Sequence, residues 1–306
     1  MNKLLVSVSP HIRQGDTTAT IMRDVLIALV PALVASVIFF GARALLVAAV
    51  TIAACVLSEW GFEKITGREN TIYDLSAAVT GLLLALNLPV DIPIWQAIFG
   101  SAAAIIMVKQ LFGGIGKNFA NPAITARVIM LIAFAGPMTT WRAVGDAVSS
   151  ATPLALIKAG DISSLPSLMQ MFIGQRSGSL GETSALALLL GGAYLLYRKV
   201  ITWHTPVAFI GTVFVFTALL GEQPVYQIMS GGLILGAFFM ATDYSTTPST
   251  PLGQIIFGIG CGLITVLIRV WGNYPEGVSF SILLMNILTP YISKLTKRKP
   301  IGGVKA

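Results

Sequence analysis

Between residues 25 and 295 the chain offers one apolar stretch after another, interrupted by Gly, Pro or clustered charge. A helix needs roughly 20 mostly apolar residues to cross the hydrocarbon core of a bilayer. This serial pattern constrains the fold more than any single motif. Of the 306 residues, 55% are hydrophobic and 11% charged, with a mean hydropathy of +0.81. An ordinary soluble domain carries roughly 25% charged residues. Such a chain cannot cover its surface with polar groups in water, so it reads as an all-α integral membrane protein.

Apolar runs between breakers predict about ten transmembrane helices, over 25–40, 44–65, 76–88, 93–112, 122–136, 184–199, 206–220, 225–241, 253–271 and 278–295. The first follows a polar lead and ends without a small-residue cleavage site, which reads as a retained helix rather than a signal peptide. The longest interruption, 137–183, separates five helices from five. The expected organisation is a cytoplasmic segment 1–24, a first five-helix repeat 25–136, an extracytoplasmic loop 137–183, a second repeat 184–295 and a basic cytoplasmic tail 296–306.

The two fives resemble each other. Residues 81–87 parallel 236–242, 96–100 parallel 254–258, and Phe112-Gly113 falls opposite Trp271-Gly272. Because each half holds an odd number of spans, the second enters the membrane from the opposite side. The result is a pair of inverted repeats with broken helices and a functional site near the midplane. With the N-terminus inside, 14 of the 20 Lys and Arg fall in cytoplasmic segments and five outside, with Arg127 inside a helix. That bias places both termini in the cytoplasm. In such a protein the net charge of +7 reports topology, not nucleic-acid binding.

Three segments are candidates for chemistry. The third and eighth stretches are short and end in polar or Pro-rich sequence, Asn87-Leu88-Pro89 in one half and 241–251 in the other. Broken helices at matching positions expose backbone groups that a ligand can satisfy, which singles out Asp243, Thr246 and Thr247. The alternative is a polar loop whose prolines stop the helix. Secondly, Ser179 and Glu182 have capping-box spacing ahead of the sixth helix. On the functional reading, Thr183 is an exposed hydroxyl at a helix N-terminus, where backbone donors favour phosphate. Thirdly, the Gly-rich 113–122 segment lacks Walker spacing, and Asn121-Pro122 reads as a helix start. Lys109, Lys117 and Arg127 nearby are candidates to meet an anion, against the commoner reading that charges close to span ends snorkel to the interface.

Other chemistry is not indicated. His11 and His204 lack partners at metal-ligand spacing, and Cys55 and Cys261 lie in apolar runs. No nucleophilic triad or acid/base pair is suggested, and no acidic residue in a span marks an ion path. Any catalysis would come from a cofactor.

Several segments together resemble the RnfD/NqrB family, membrane subunits of Rnf and sodium-pumping NADH:quinone oxidoreductase complexes. They are Ser-Pro-His-Ile-Arg at 9–13 leading into 24–31, Asn-Phe-Ala-Asn-Pro at 118–122, Gly-Glu-Thr-Ser at 181–184, and Ala-Thr-Asp at 241–243 with Pro-Leu-Gly-Gln at 251–254. They span nearly the whole chain, and its length looks more like the RnfD branch than the NqrB branch. The resemblance implies a flavin-carrying membrane component of a ferredoxin:NAD oxidoreductase in the bacterial inner membrane, coupled to Na+ or H+ translocation. It implies FMN attached through a phosphoester to Thr183, flanked by Glu182 and Ser184, with attachment made by a separate flavin transferase. It also implies a second, non-covalent flavin, riboflavin, for which Asn118, Asn121, Thr242, Asp243, Thr246 and Thr247 are the candidate surroundings. Expected partners are the other membrane, flavoprotein and iron–sulfur subunits together with membrane lipid. The acceptor segment departs from the Ser-Gly-Ala-Thr form of the partner flavoprotein. Two other readings stand beside this one: a small-solute channel or secondary transporter, which uses the same inverted repeats, and a scaffold without a cofactor.

Overall fold

The computed structural model describes residues 17–142, 151–272, 274 and 276–297. The 9–13 motif with His11, and the basic tail from 298 onward, lie outside the described residues. Among the described residues the chain is helical and contains no strand. Its elements are α1 (Thr18–Phe40), α2 (Ala42–Thr66), α3 (Ser76–Leu86), α4 (Ile94–Gln110), α5 (Pro122–Ala133), α6 (Ala135–Thr139), α7 (Pro153–Ala159), α8 (Leu168–Ile173), α9 (Ala185–Tyr197), α10 (His204–Leu219), α11 (Pro224–Met229), α12 (233–240), α13 (Pro251–Trp271) and α14 (Val278–Leu295).

Local chemistry sets the boundaries. Thr17 accepts from the Thr20 amide to start α1, seven residues earlier than hydropathy places it, because the first two turns are polar. Gly41, at φ 73°, turns the chain from α1 into α2. Asn121 caps α5 by accepting from the Ala123 and Ile124 amides, with Pro122 in the first turn, as the sequence predicts. The expected single helix over 225–241 is corrected. Ser230, Gly231 and Gly232 break it, since both glycines adopt positive φ, at 64° and 60°. The 137–183 stretch also holds α7, α8 and the end of α6.

Among the described residues, four helices, α1, α2, α13 and α14, are long and apolar enough to cross a membrane, and five shorter apolar helices accompany them. Ile27, Val30, Val34 and Ile38 line the outward face of α1, so this helix is apolar on its exposed side as well as its packed side. Such a surface suits hydrocarbon rather than water. The chain is therefore built as a membrane protein.

In lipid, helices associate by close packing more than by burial from water. α1 crosses α9 so tightly that a Cβ on Gly191 would lie 2.0 Å from the Ala28 carbonyl. Asp24 of α1 accepts from Arg198 at 3.0 and 3.1 Å and from Tyr194 at 3.2 Å, pinning the other end of the crossing. The packing of the halves has matching pairs. α2 carries α3 and α4, α10 carries α12 and α13, and α5 meets α14 as α1 meets α9.

Candidate functional site

The segment ahead of α9 folds inward. Leu180–Glu182 form one tight turn, and Ser184 caps α9 by accepting from the Ala187 amide at 3.2 Å. Thr183, expected to be exposed, is 1% exposed, and its hydroxyl donates to the Leu180 carbonyl at 3.1 Å. The reason is that the preceding turn is seated between the halves. The Leu180 amide donates to the Leu88 carbonyl where α3 breaks, and Ser36 of α1 donates to the Leu180 carbonyl at 2.6 Å. A Cβ on Gly181 would lie 2.7 Å from Leu86, so only glycine allows this approach. Thr183 is enclosed in this seat rather than presented at a surface.

The capping box is also corrected. The Ser179 hydroxyl is buried without a hydrogen-bond partner, and the Glu182 carboxylate turns away toward Arg127, 3.5 Å distant. Arg127, read from sequence as snorkelling, is buried. It donates to Asn87 at 2.6 Å and forms an ion pair with Glu276, 149 residues away. Glu276 lies in the link between α13 and α14, and its carboxyl is pushed up to about 7, chiefly by burial, with Arg127 opposing and Glu182 adding. Arg176 donates to the Glu182 and Met229 carbonyls, and burial draws it down to about 10, so it stays charged at neutral pH. Arg269 of α13 holds the break between α11 and α12 through the Gln227, Ser230 and Gly231 carbonyls. Freed carbonyls need donors in a bilayer, and a guanidinium supplies several at once. Sequence reasoning missed this buried cluster. Its available signal was that Arg127 and Arg269 sit inside apolar runs.

A second region is a half-open cavity between the start of α1, α3, the end of α4, the 115–122 loop and residues 238–245. Its walls are largely apolar, with Val25, Val79, Leu83, Phe238 and Phe239 among them. Four of the sequence candidates, Asn118, Asn121, Thr242 and Asp243, line it together. Asn121 is fixed by its amide donating to Asn286 Oδ1 at 3.1 Å and by its own Nδ2 reaching the Met240 carbonyl at 3.4 Å. Thr242 donates to the Phe238 carbonyl, and Asp243 accepts from Ser245 at 2.8 Å and Thr246 at 2.9 Å. Thr246 does not line the cavity. Its carbonyl is held by Asn286 and Thr289 of α14, making it an anchor for the loop. Thr247 lines an adjoining hydroxyl-rich recess with Thr202, Thr205 and Ser249. Glu182, Thr183 and Ser184 lie away from this cavity, so the candidates form two regions.

The same cavity corrects two further expectations. Lys109, read as snorkelling, is 3% exposed, and its ammonium binds Glu59 Oε1 at 2.5 Å and Ser76 Oγ at 2.6 Å. Glu59 and Glu63 are both buried on one face of α2, although no acidic residue in a span was expected to stand out. Lys117 is exposed. Among the described residues, no group of three His, Cys, Asp or Glu is placed to hold a metal.

Ligand sites combine apolar walls with a few fixed polar groups. This cavity has both, with Asn118, Asn121, Thr242 and Asp243 among its apolar lining.

The model of the family described as "NQR2, RnfD, RnfE family" matches residues 5–302. The chain is 49% identical over 306 residues to the D subunit of the Na(+)-translocating ferredoxin:NAD(+) oxidoreductase complex of Acetobacterium woodii, covering 99% of this chain and 96% of the relative. It is 44% identical over 320 residues to the D subunit of the proton-translocating ferredoxin:NAD(+) oxidoreductase complex of Clostridium ljungdahlii, covering 98% and 97%. It is 38% identical over 327 residues to the D subunit of the ion-translocating oxidoreductase complex of Stutzerimonas stutzeri, covering 92% and 91%.

Proposed function

The chain belongs to the NQR2, RnfD, RnfE family, and on that premise we propose that it is the flavin-carrying D subunit of an Rnf-type ferredoxin:NAD oxidoreductase complex in the membrane. It is an oxidoreductase subunit that works with partner subunits, not a catalyst alone, and its electron relay is coupled to movement of Na+ or H+. The relatives carry names of both kinds. On this reading the chain spans the bacterial inner membrane about ten times as two inverted five-helix repeats, with both termini in the cytoplasm.

The observation that carries the reading is the cavity, where Asn118 and Asn121 from the first half meet Thr242 and Asp243 from the second. A non-covalent flavin, riboflavin, suits its mixture of apolar wall and polar groups. A bound flavin supplies one- and two-electron transfer. The chain's own residues would orient it and flank its ring. Phe238, Phe239 and Leu83 form the dry wall, while Asn121, fixed from two sides, presents a rigid edge.

The second carrier is FMN on Thr183, added by a flavin transferase. Because Thr183 is buried and its hydroxyl donates to the Leu180 carbonyl, attachment on this reading requires the 177–184 segment to open from its seat between α1, α3 and α12. A channel or secondary transporter is the other reading, favoured by the matched packing of the halves.

The test is peptide mass spectrometry and denaturing flavin extraction on complex purified from the native membrane. Added mass of one FMN less water on the Thr183 peptide, together with one released unphosphorylated flavin, supports the relay. Neither flavin, in material containing active transferase, refutes it and leaves the transporter reading.

A further inference from the structure

Among the described residues lining the cavity, Lys109 is the one cation and Asp243 the one carboxylate. Asp243 is engaged by Ser245 and Thr246. Lys109 is different. An ammonium has three donors, of which Glu59 takes one and Ser76 a second, and among the described residues no acceptor takes the third.

The surroundings hold that ammonium in place. Residues 103–110 of α4 form a π-helix, whose wider turn allows the adjacent Lys109 and Gln110 both to reach Glu59, with Gln110 Nε2 donating at 2.7 Å. π-segments are rare and concentrate at functional sites. Glu59 is fully buried, yet its Oε2 has no hydrogen-bond partner. A purely structural ion pair gains most when every lone pair is satisfied. This pair is incomplete at both ends, with one unpaired carboxylate oxygen on Glu59 and one unpaired N–H on Lys109, which lines the cavity.

We infer that Lys109 is the charge-compensating positioning residue of this cavity, donating its free N–H to a heteroatom that gains negative charge when the occupant is reduced. The inference rests on the proposed flavin occupancy. No bond is made or broken at Lys109. The electrons come from the ferredoxin side of the complex, and the ammonium lowers the energy of the added charge in a low-dielectric site. Glu59 tempers this by partly neutralising the ammonium, so the pair sets how strongly the cavity prefers the reduced form over the oxidised one.

The test uses whole complex carrying Glu59→Gln, Lys109→Arg, or the double substitution Lys109→Met with Glu59→Gln, which removes both charges and leaves no lone buried ion. The readouts are non-covalent flavin content and the flavin's midpoint potential in an absorbance-monitored redox titration. The double variant is expected to lose about tenfold of its preference for the reduced form, a fall of about 30 mV for a two-electron couple. Glu59→Gln is expected to shift the potential upward, because the ammonium is no longer neutralised, and Lys109→Arg to stay near the parent. Loss of flavin from the double variant with retention in Lys109→Arg also supports the assignment, since charge then decides binding. An unchanged potential in the double variant, a downward shift in Glu59→Gln, or flavin loss from Lys109→Arg overturns it. Absence of non-covalent flavin from the unmutated complex overturns the occupancy itself, and the two failures are told apart by which sample shows them.

Discussion

Arg269 offers the sharpest check on how this fold is held. Its Nη1 donates to the Gln227 carbonyl at 2.6 Å and the Gln227 side chain at 3.1 Å, and its Nη2 donates to the Ser230 and Gly231 carbonyls at 3.0 and 3.2 Å. Those carbonyls are free because the positive φ of Gly231 and Gly232 breaks the helix. Arg269→Met keeps most of the volume and removes every donor. Each buried acceptor left unpaired costs about 1–3 kcal/mol. Returning the guanidinium's desolvation penalty offsets part of that sum, which leaves about 3–5 kcal/mol, the range for breaking a buried charged contact. Arg269→Lys, with one point charge in place of a fork, is expected to recover roughly half. The measurement is unfolding free energy in bicelles by steric trapping, with hydrogen exchange followed over residues 228–236. A value for Arg269→Met within about 1 kcal/mol of the parent, with unchanged exchange at the break, would refute the idea that this guanidinium replaces the missing helical donors.

Three further outcomes follow from the packing and the charges. Gly191→Val forces α1 and α9 apart at the Ala28 carbonyl and is expected to cost about 1–3 kcal/mol, read by the same unfolding assay, whereas Gly211→Ala, in open space, is neutral. Glu276 is pushed above its ordinary 4.5 to about 7, so the folded state holds its proton more tightly than the unfolded state does. The stability this contributes is fully present below the ordinary value and is lost as pH rises through about 7; Glu276→Gln is expected to flatten the stability profile between about pH 5 and 8. Because Thr183 is buried, purified transferase with its flavin donor is expected to label the folded, unmodified chain at least about tenfold more slowly than a peptide spanning 174–190, a gap reflecting the opening cost of the segment. Equal labelling rates would show that the segment is open in solution.

Much of the architecture was legible because it depends on neighbours in sequence. Hydropathy located the long helices, Asn121-Pro122 marked the start of α5, and the Pro-rich stretch after Met240 marked where α12 stops. The Asn118–Pro122 and Thr242–Asp243 segments stood out by motif, and the fold brings both to one cavity. Other features were out of reach. Glu59 meets Lys109 across 50 positions, Arg127 meets Glu276 across 149, and Thr183 is buried because Leu180 bonds the broken end of α3. In a soluble helix, polar residues mark the outer face, and periodicity tells inside from outside. Here the face of α1 toward lipid is as apolar as the face toward α9, so that signal is erased. Where the long apolar helices lie followed from composition along the chain, whereas which faces meet, and hence which buried charges find partners, was decided by tertiary packing alone, because satisfying a charge in hydrocarbon depends on what is near in space rather than in sequence.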